Sequence, residues 1–169
     1  MRVLVSAASR HGSTAEIATE LGKALRGALP GVGVDVVPLA RVASFTDYDA
    51  VILGSAVYFG RWLDEARWQV SAHAEPLRQR SVWLFSSGPV GDPAVPETEP
   101  ADAAELAAAV GAREHVVFPG ALHREFLGIR ERLAVGLVHA SDGDYRDWPA
   151  VRAWADRIAA ELGVGSLSR

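Results

Sequence analysis

The stretch Val3-Leu-Val-Ser-Ala-Ala-Ser9-Arg-His-Gly12-Ser13-Thr14-Ala-Glu-Ile-Ala constrains this chain more than any other. Val3–Ala8 is a short apolar run of the kind a buried parallel strand requires. Ile17, Leu21 and Leu25 then recur at a spacing of four, which is helical. Between strand and helix lie Ser9, Ser13, Thr14 and Gly12. A helix N-terminus leaves backbone N–H groups free and carries partial positive charge. Amides and hydroxyls placed there suit a phosphate. Ser13 and Glu16 also have the spacing of a capping box, which would serve the helix alone.

The same alternation continues along the chain. Strands are predicted over Val34–Leu39, Ala50–Ala56, Val82–Ser86 and Glu114–Phe118, and helices over Thr14–Leu29, Leu63–Leu77, Ala101–Val110 and Asp147 to about Leu162. Pro30 and Gly31 stop the first helix, while Asp147 suits the N-cap of the last, with Pro149 in its first turn. Asp92–Pro100 is proline-rich and acidic, hence a loop. Strands alternating with helices imply an α/β fold: a parallel sheet covered on both faces. At 169 residues with no repeat or linker, the expectation is one domain over 1–169, with an insertion at about 122–146.

Composition removes several functions. A net charge of −4 argues against nucleic-acid binding through bulk electrostatics. With no cysteine there is no disulfide, iron–sulfur cluster or thiol nucleophile, so redox chemistry would need a bound cofactor. The five histidines form no ligand pair on a helix face, and no metal is expected. No Gly-Lys-Ser/Thr follows a strand, no Gly-x-Ser-x-Gly is present, and Gly31-Val-Gly33 precedes a strand instead of following one. Asp142-Gly-Asp144 is a turn, since the rest of a calcium loop is missing. A strand at the very start and the lack of a long apolar run lead to a cytoplasmic expectation.

Ligands of open parallel sheets bind beyond the carboxyl ends of the strands, where strand order reverses. Three segments fall at such ends. The first is Ser9, Arg10, His11, Gly12, Ser13 and Thr14. The second, Ala56, Val57, Tyr58, Phe59 and Gly60, offers flat faces for a planar heterocycle and a glycine for close approach, with Trp62 an alternative platform or the first core residue of helix two. The third runs from Ser86, Ser87 and Gly88 to Gly91 and Asp92, with amides and hydroxyls suited to the polar edge of a ring. Arg10 and Arg61 flank this end, where positive charge would favour an anionic reduced cofactor. No general acid or base stands out.

On these residues the chain resembles the flavodoxin-like family over essentially its whole length. Ser9-Arg-His-Gly12-Ser13-Thr14 matches the phosphate loop of that family, Tyr48–Ser55 the strand before its first flavin loop, and Ser86–Asp92 its second. Gly54-Ser-Ala-Val-Tyr58-Phe-Gly60, Pro119-Gly120-Ala121-Leu122 and Asp144-Tyr145-Arg-Asp147-Trp148 resemble the menaquinone-dependent protoporphyrinogen dehydrogenase branch. The resemblance implies a five-stranded doubly wound sheet of order 2-1-3-4-5 with FMN as cofactor. It further implies a quinone or porphyrinogen-type apolar substrate and a link to heme biosynthesis. The alternative is a flavodoxin-type electron carrier with protein redox partners. The shorter insert and Ser86-Ser-Gly-Pro depart from the branch pattern.

Leu122–Val138 looks helical and amphipathic, with Phe126, Ile129, Leu133 and Leu137 on one face. That face suits the sheet edge, an apolar substrate, the inner surface of a membrane, or a second copy of the chain.

Overall fold

The computed structural model describes residues 1–88, 99–122 and 143–166. Its centre is a parallel sheet of β1 (Arg2–Ala8), β2 (Gly33–Pro38), β3 (Ala50–Tyr58), β5 (Ser81–Ser87) and β6 (His115–Phe118), ordered β2-β1-β3-β5-β6. Counting these main strands alone gives 2-1-3-4-5, as the resemblance implies. Val3 is in register with Val34 on one side and Ala50 on the other, so β1 and β3 form the middle of the sheet.

Period-two alternation divides the core between the two faces. Val3, Val5, Ile52 and Phe85 point to one side, where Ile17, Leu21 and Leu25 of α1 (Ser13–Ala28) and Trp154 and Ile158 of α5 (Trp148–Ser166) cover them. Leu4, Val51, Leu53 and Leu84 point to the other. There they meet Val70 of α2 (Asp64–Ala72), Leu77 of α3 (Ala74–Arg78) and Leu106 of α4 (Ala103–Val110). Asp147 Oδ1 accepts the Ala150 N–H at 2.9 Å, the cap expected for the last helix.

Several local expectations are corrected. The second predicted helix divides at His73 into α2 and α3. Pro76 explains the break: in a continuous helix its missing N–H would have served the Ala72 carbonyl, and its ring would collide with that turn. Trp62 belongs to a short strand, β4 (Arg61–Trp62), which folds back antiparallel on the end of β3. The capping box is not formed, because Gly12 is the N-cap and Ser13 already the first helical residue. Leu122 is in β7 (Ala121–Leu122), and Gly143–Asp144 forms β8, paired antiparallel with it. The rest of the predicted Leu122–Val138 helix lies outside the described residues.

Candidate functional site

Strand order reverses between β1 and β3: the chain leaves β1 for β2 on one side and returns to β3 on the other. The two following loops therefore diverge and open a crevice at the carboxyl end of the sheet.

The loop after β1 turns on Gly12, whose φ of 93° is left-handed and disfavours side chains. Its N–H donates to Ser9 Oγ at 3.2 Å. No side chain caps α1, so the first-turn amides keep their capacity to donate. Ser13 Oγ accepts the Ala121 N–H at 3.0 Å, which leaves the hydroxyl proton for another acceptor. Thr14 is 2% exposed. Uncapped donors, a hydroxyl with a proton to give and a glycine bend together fit a phosphate group.

The second loop is a two-residue hairpin between Tyr58 and Arg61, which oppose each other in β3 and β4. Its central residues Phe59 and Gly60 both have positive φ, 51° and 73°, as a type I′ turn requires. Glycine takes that geometry freely, but phenylalanine does not. Phe59 is nevertheless 74% exposed. Burial therefore does not offset its conformational cost. The Tyr58 ring carries the Arg10 guanidinium at 4.8 Å from its centroid and His11 edge-on at 6.2 Å, so the first two loops touch.

The third loop leaves β5 at Ser86 and Ser87. Gly88 follows, and a Cβ there would stand 2.9 Å from Val57 Cβ and 3.1 Å from the Val57 carbonyl oxygen. Only a glycine lets this loop lie against the end of β3. The three segments are thus adjacent, as the sequence requires of them. Gly91 and Asp92 lie outside the described residues, and Ala56 is buried at the end of β3.

Ser86 behaves differently from the expectation of a hydroxyl turned to a ring. It is fully buried and accepts the Trp62 indole N–H at 2.7 Å. Its hydroxyl also lies 2.8 Å from His115 Nε2, and His115 Nδ1 lies 3.2 Å from Glu99 Oε1. The Ser86 hydroxyl is therefore engaged inside the fold, and its backbone lies within β5 between β3 and β6. Trp62, 2% exposed, is a core residue. Sequence reasoning gave no role to His115, Glu99 or Asp102. Asp102 accepts the Trp62 backbone N–H at 3.3 Å, and the Ala101 N–H donates to the Gly60 carbonyl at 2.9 Å. Segment 99–102 therefore fastens the hairpin from behind.

Beside the phosphate loop stand the two ends of the insertion. The Tyr145 N–H donates to the Gly120 carbonyl at 3.1 Å, and Arg146 bonds both Asp144 and Glu16 of α1. Hydrogen bonding to Asp144 first, and to Glu16, raises the Arg146 pKa above its ordinary value, fixing it as a cationic tie. Among the described residues no group of three or more histidine, aspartate or glutamate side chains is placed to hold a metal.

A glycine-bent loop with uncapped helix amides, an aromatic hairpin and a glycine-bearing third loop thus meet at the switch point of a doubly wound α/β sheet. The flavodoxin domain family matches residues 4–148, and the chain belongs to it. Among solved structures it is similar to the rubredoxin oxygen:oxidoreductase of Desulfovibrio gigas, at 16% identity and a TM-score of 0.66, covering 99% of this chain and 37% of that one. It thus spans little more than a third of that protein. The flavodoxin of Streptococcus pneumoniae TIGR4 shares 19% identity at a TM-score of 0.61, covering 98% and 99%. An azoreductase from Bacillus anthracis str. Sterne shares 12% identity at 0.59, covering 95% and 99%. No curated protein sequence matches the chain.

Proposed function

We propose that this protein binds FMN and is an oxidoreductase exchanging two electrons with a quinone- or porphyrinogen-type apolar substrate. The observation that carries the reading is the convergence of Gly12, Phe59 and Gly88 at one sheet end, each answering a separate demand of a phosphorylated planar ligand. In this reading Ser9–Thr14 hold the phosphate, with first-turn amides and the Ser13 and Thr14 hydroxyls as donors. Val57–Gly60, Ser87 and Gly88, with Gly91 and Asp92, line the ring. Bound FMN would supply the redox chemistry itself, accepting and giving up two electrons. The protein's part is to position the ring and set the charge around it.

Two features support an enzyme over a carrier with protein partners. Arg10 and Arg61 set positive charge beside the ring site, favouring the anionic fully reduced cofactor. The described ends of the insertion are tied beside the phosphate loop through Ser13–Ala121 and Glu16–Arg146, which supports a part for it in shaping the approach of an apolar substrate. It also offers a route to the inner face of a membrane or to a second copy of the chain. No helix among the described residues is long and apolar enough to cross a membrane. A redox titration of the flavin-loaded protein tests the reading. A single two-electron transition supports the enzyme; two well-separated one-electron steps, the second at very low potential, support the carrier.

A further inference from the structure

The hairpin that displays Phe59 also displays a cation, and its surroundings leave that charge unneutralised. Arg61 opposes Tyr58 across the turn, so both side chains leave the same face of the hairpin. It is exposed and makes no ion pair with any acid among the described residues. Two acids joined to this region, Asp64 and Asp102, are engaged elsewhere. Asp64 pairs with Arg67 at 3.4 Å. Asp102, only 11% exposed, turns inward to the Trp62 N–H and lies 3.8 Å from Arg67. Three other exposed arginines pair with carboxylates, Arg2 with Asp35, Arg113 with Glu161 and Arg152 with Glu20, whereas Arg78 bonds only the Ala109 carbonyl among the described residues.

The support behind the hairpin is rigid. Gly60 accepts the Ala101 N–H, and the Trp62 indole is buried against Ser86. Arg61 and Phe59 thus stand two residues apart on one braced hairpin at the carboxyl end of the sheet, on a protein whose net charge is −4. A long-range field would repel anions from such a protein, so this cation acts locally. The phosphate subsite lies at the other loop, around Gly12, and has its own donors.

We infer that Arg61 is a specificity-determining residue that, with Phe59, selects planar aromatic substrates bearing a negative charge such as a carboxylate or sulfonate. The inference rests on the FMN reading above and refines its substrate class, adding one anionic group to an otherwise apolar planar molecule. A guanidinium next to an aromatic face gives such a molecule both a stacking surface and a charge-assisted hydrogen bond.

The test uses the protein loaded with FMN, so that the phosphate loop is filled and cannot capture the probe. Binding of naphthalene-2-sulfonate is compared by calorimetry with that of neutral naphthalene-2-sulfonamide. The anion is expected to bind about three- to tenfold more tightly, with the preference shrinking as salt is raised. Arg61→Gln should abolish the preference, and Arg61→Lys should retain most of it. Equal binding of the two probes, or a preference that survives Arg61→Gln, overturns the inference while leaving the FMN reading intact. Failure to load FMN at all overturns that reading, and this one with it.

Discussion

Ser86 Oγ lies 2.8 Å from His115 Nε2, and this pair joins the buried end of β5 to the segment that returns after the third loop. The network closes without conflict when His115 carries its proton on Nδ1: Trp62 Nε1–H donates to Ser86, Ser86 O–H to His115, and His115 Nδ1–H to Glu99. Removing the middle member leaves the Trp62 indole N–H buried without an acceptor. Ser86→Ala should therefore destabilise the fold by about 1–3 kcal/mol. At about 2–4 °C per kcal/mol for a chain of this size, calorimetry will resolve it. In a double-mutant cycle with His115→Phe, a coupling energy near zero would show that the pair does not act as a unit.

Phe59 should exchange stability for binding. Asn is far more at home than Phe at the first centre of a type I′ turn followed by glycine. Phe59→Asn is expected to raise the melting temperature, by an amount corresponding to about 1 kcal/mol of relieved strain. It should also weaken FMN and reduce the quenching of its fluorescence. A variant that is both less stable and unaltered in flavin binding would refute the role given to this residue.

At the phosphate loop, Ser13→Ala with Thr14→Ala should raise the FMN dissociation constant at least tenfold, since each charge-assisted hydrogen bond is worth about 1.5–3 kcal/mol. Riboflavin, which lacks the phosphate, should be affected far less. An equal loss for both ligands would point to general damage to the loop.

The antiparallel pairing of Leu122 with Gly143 makes a clean deletion of the insertion buildable. Joining β7 to β8 through an Asn-Gly turn should leave FMN bound while lowering quinone turnover. Turnover that persists at the original rate would assign the segment a purely structural part.

The main sheet was legible because each strand is a compact apolar run with turn residues on both sides, Ala50–Ala56 most clearly. The Gly12 bend between β1 and α1 was legible for a related reason: strand, glycine bend and helix are contiguous in sequence. What escaped depended on partners far apart in the chain. His115 acquires its place from Ser86, 29 residues earlier, and from Glu99, 16 residues earlier, and no local pattern announces either contact. The hairpin at Phe59-Gly60 is hidden because phenylalanine is a poor residue for its geometry, so the sequence leaves Trp62 between a ring platform and the first core residue of helix two. The inward turn of the Ser86 hydroxyl follows from the pleat of β5, which a run of consecutive buried residues does not reveal.

The central claim is that the three loops at the β1/β3 switch point hold FMN. The most direct measurement is titration of the flavin-free protein with FMN, followed by quenching of flavin fluorescence, alongside the same titration of Gly12→Val. The account predicts saturable one-to-one binding with strong quenching, and a marked loss of affinity when a branched side chain is forced into the left-handed position at Gly12. Absence of saturable binding by the folded native chain, or equal affinity in the two proteins, would contradict it.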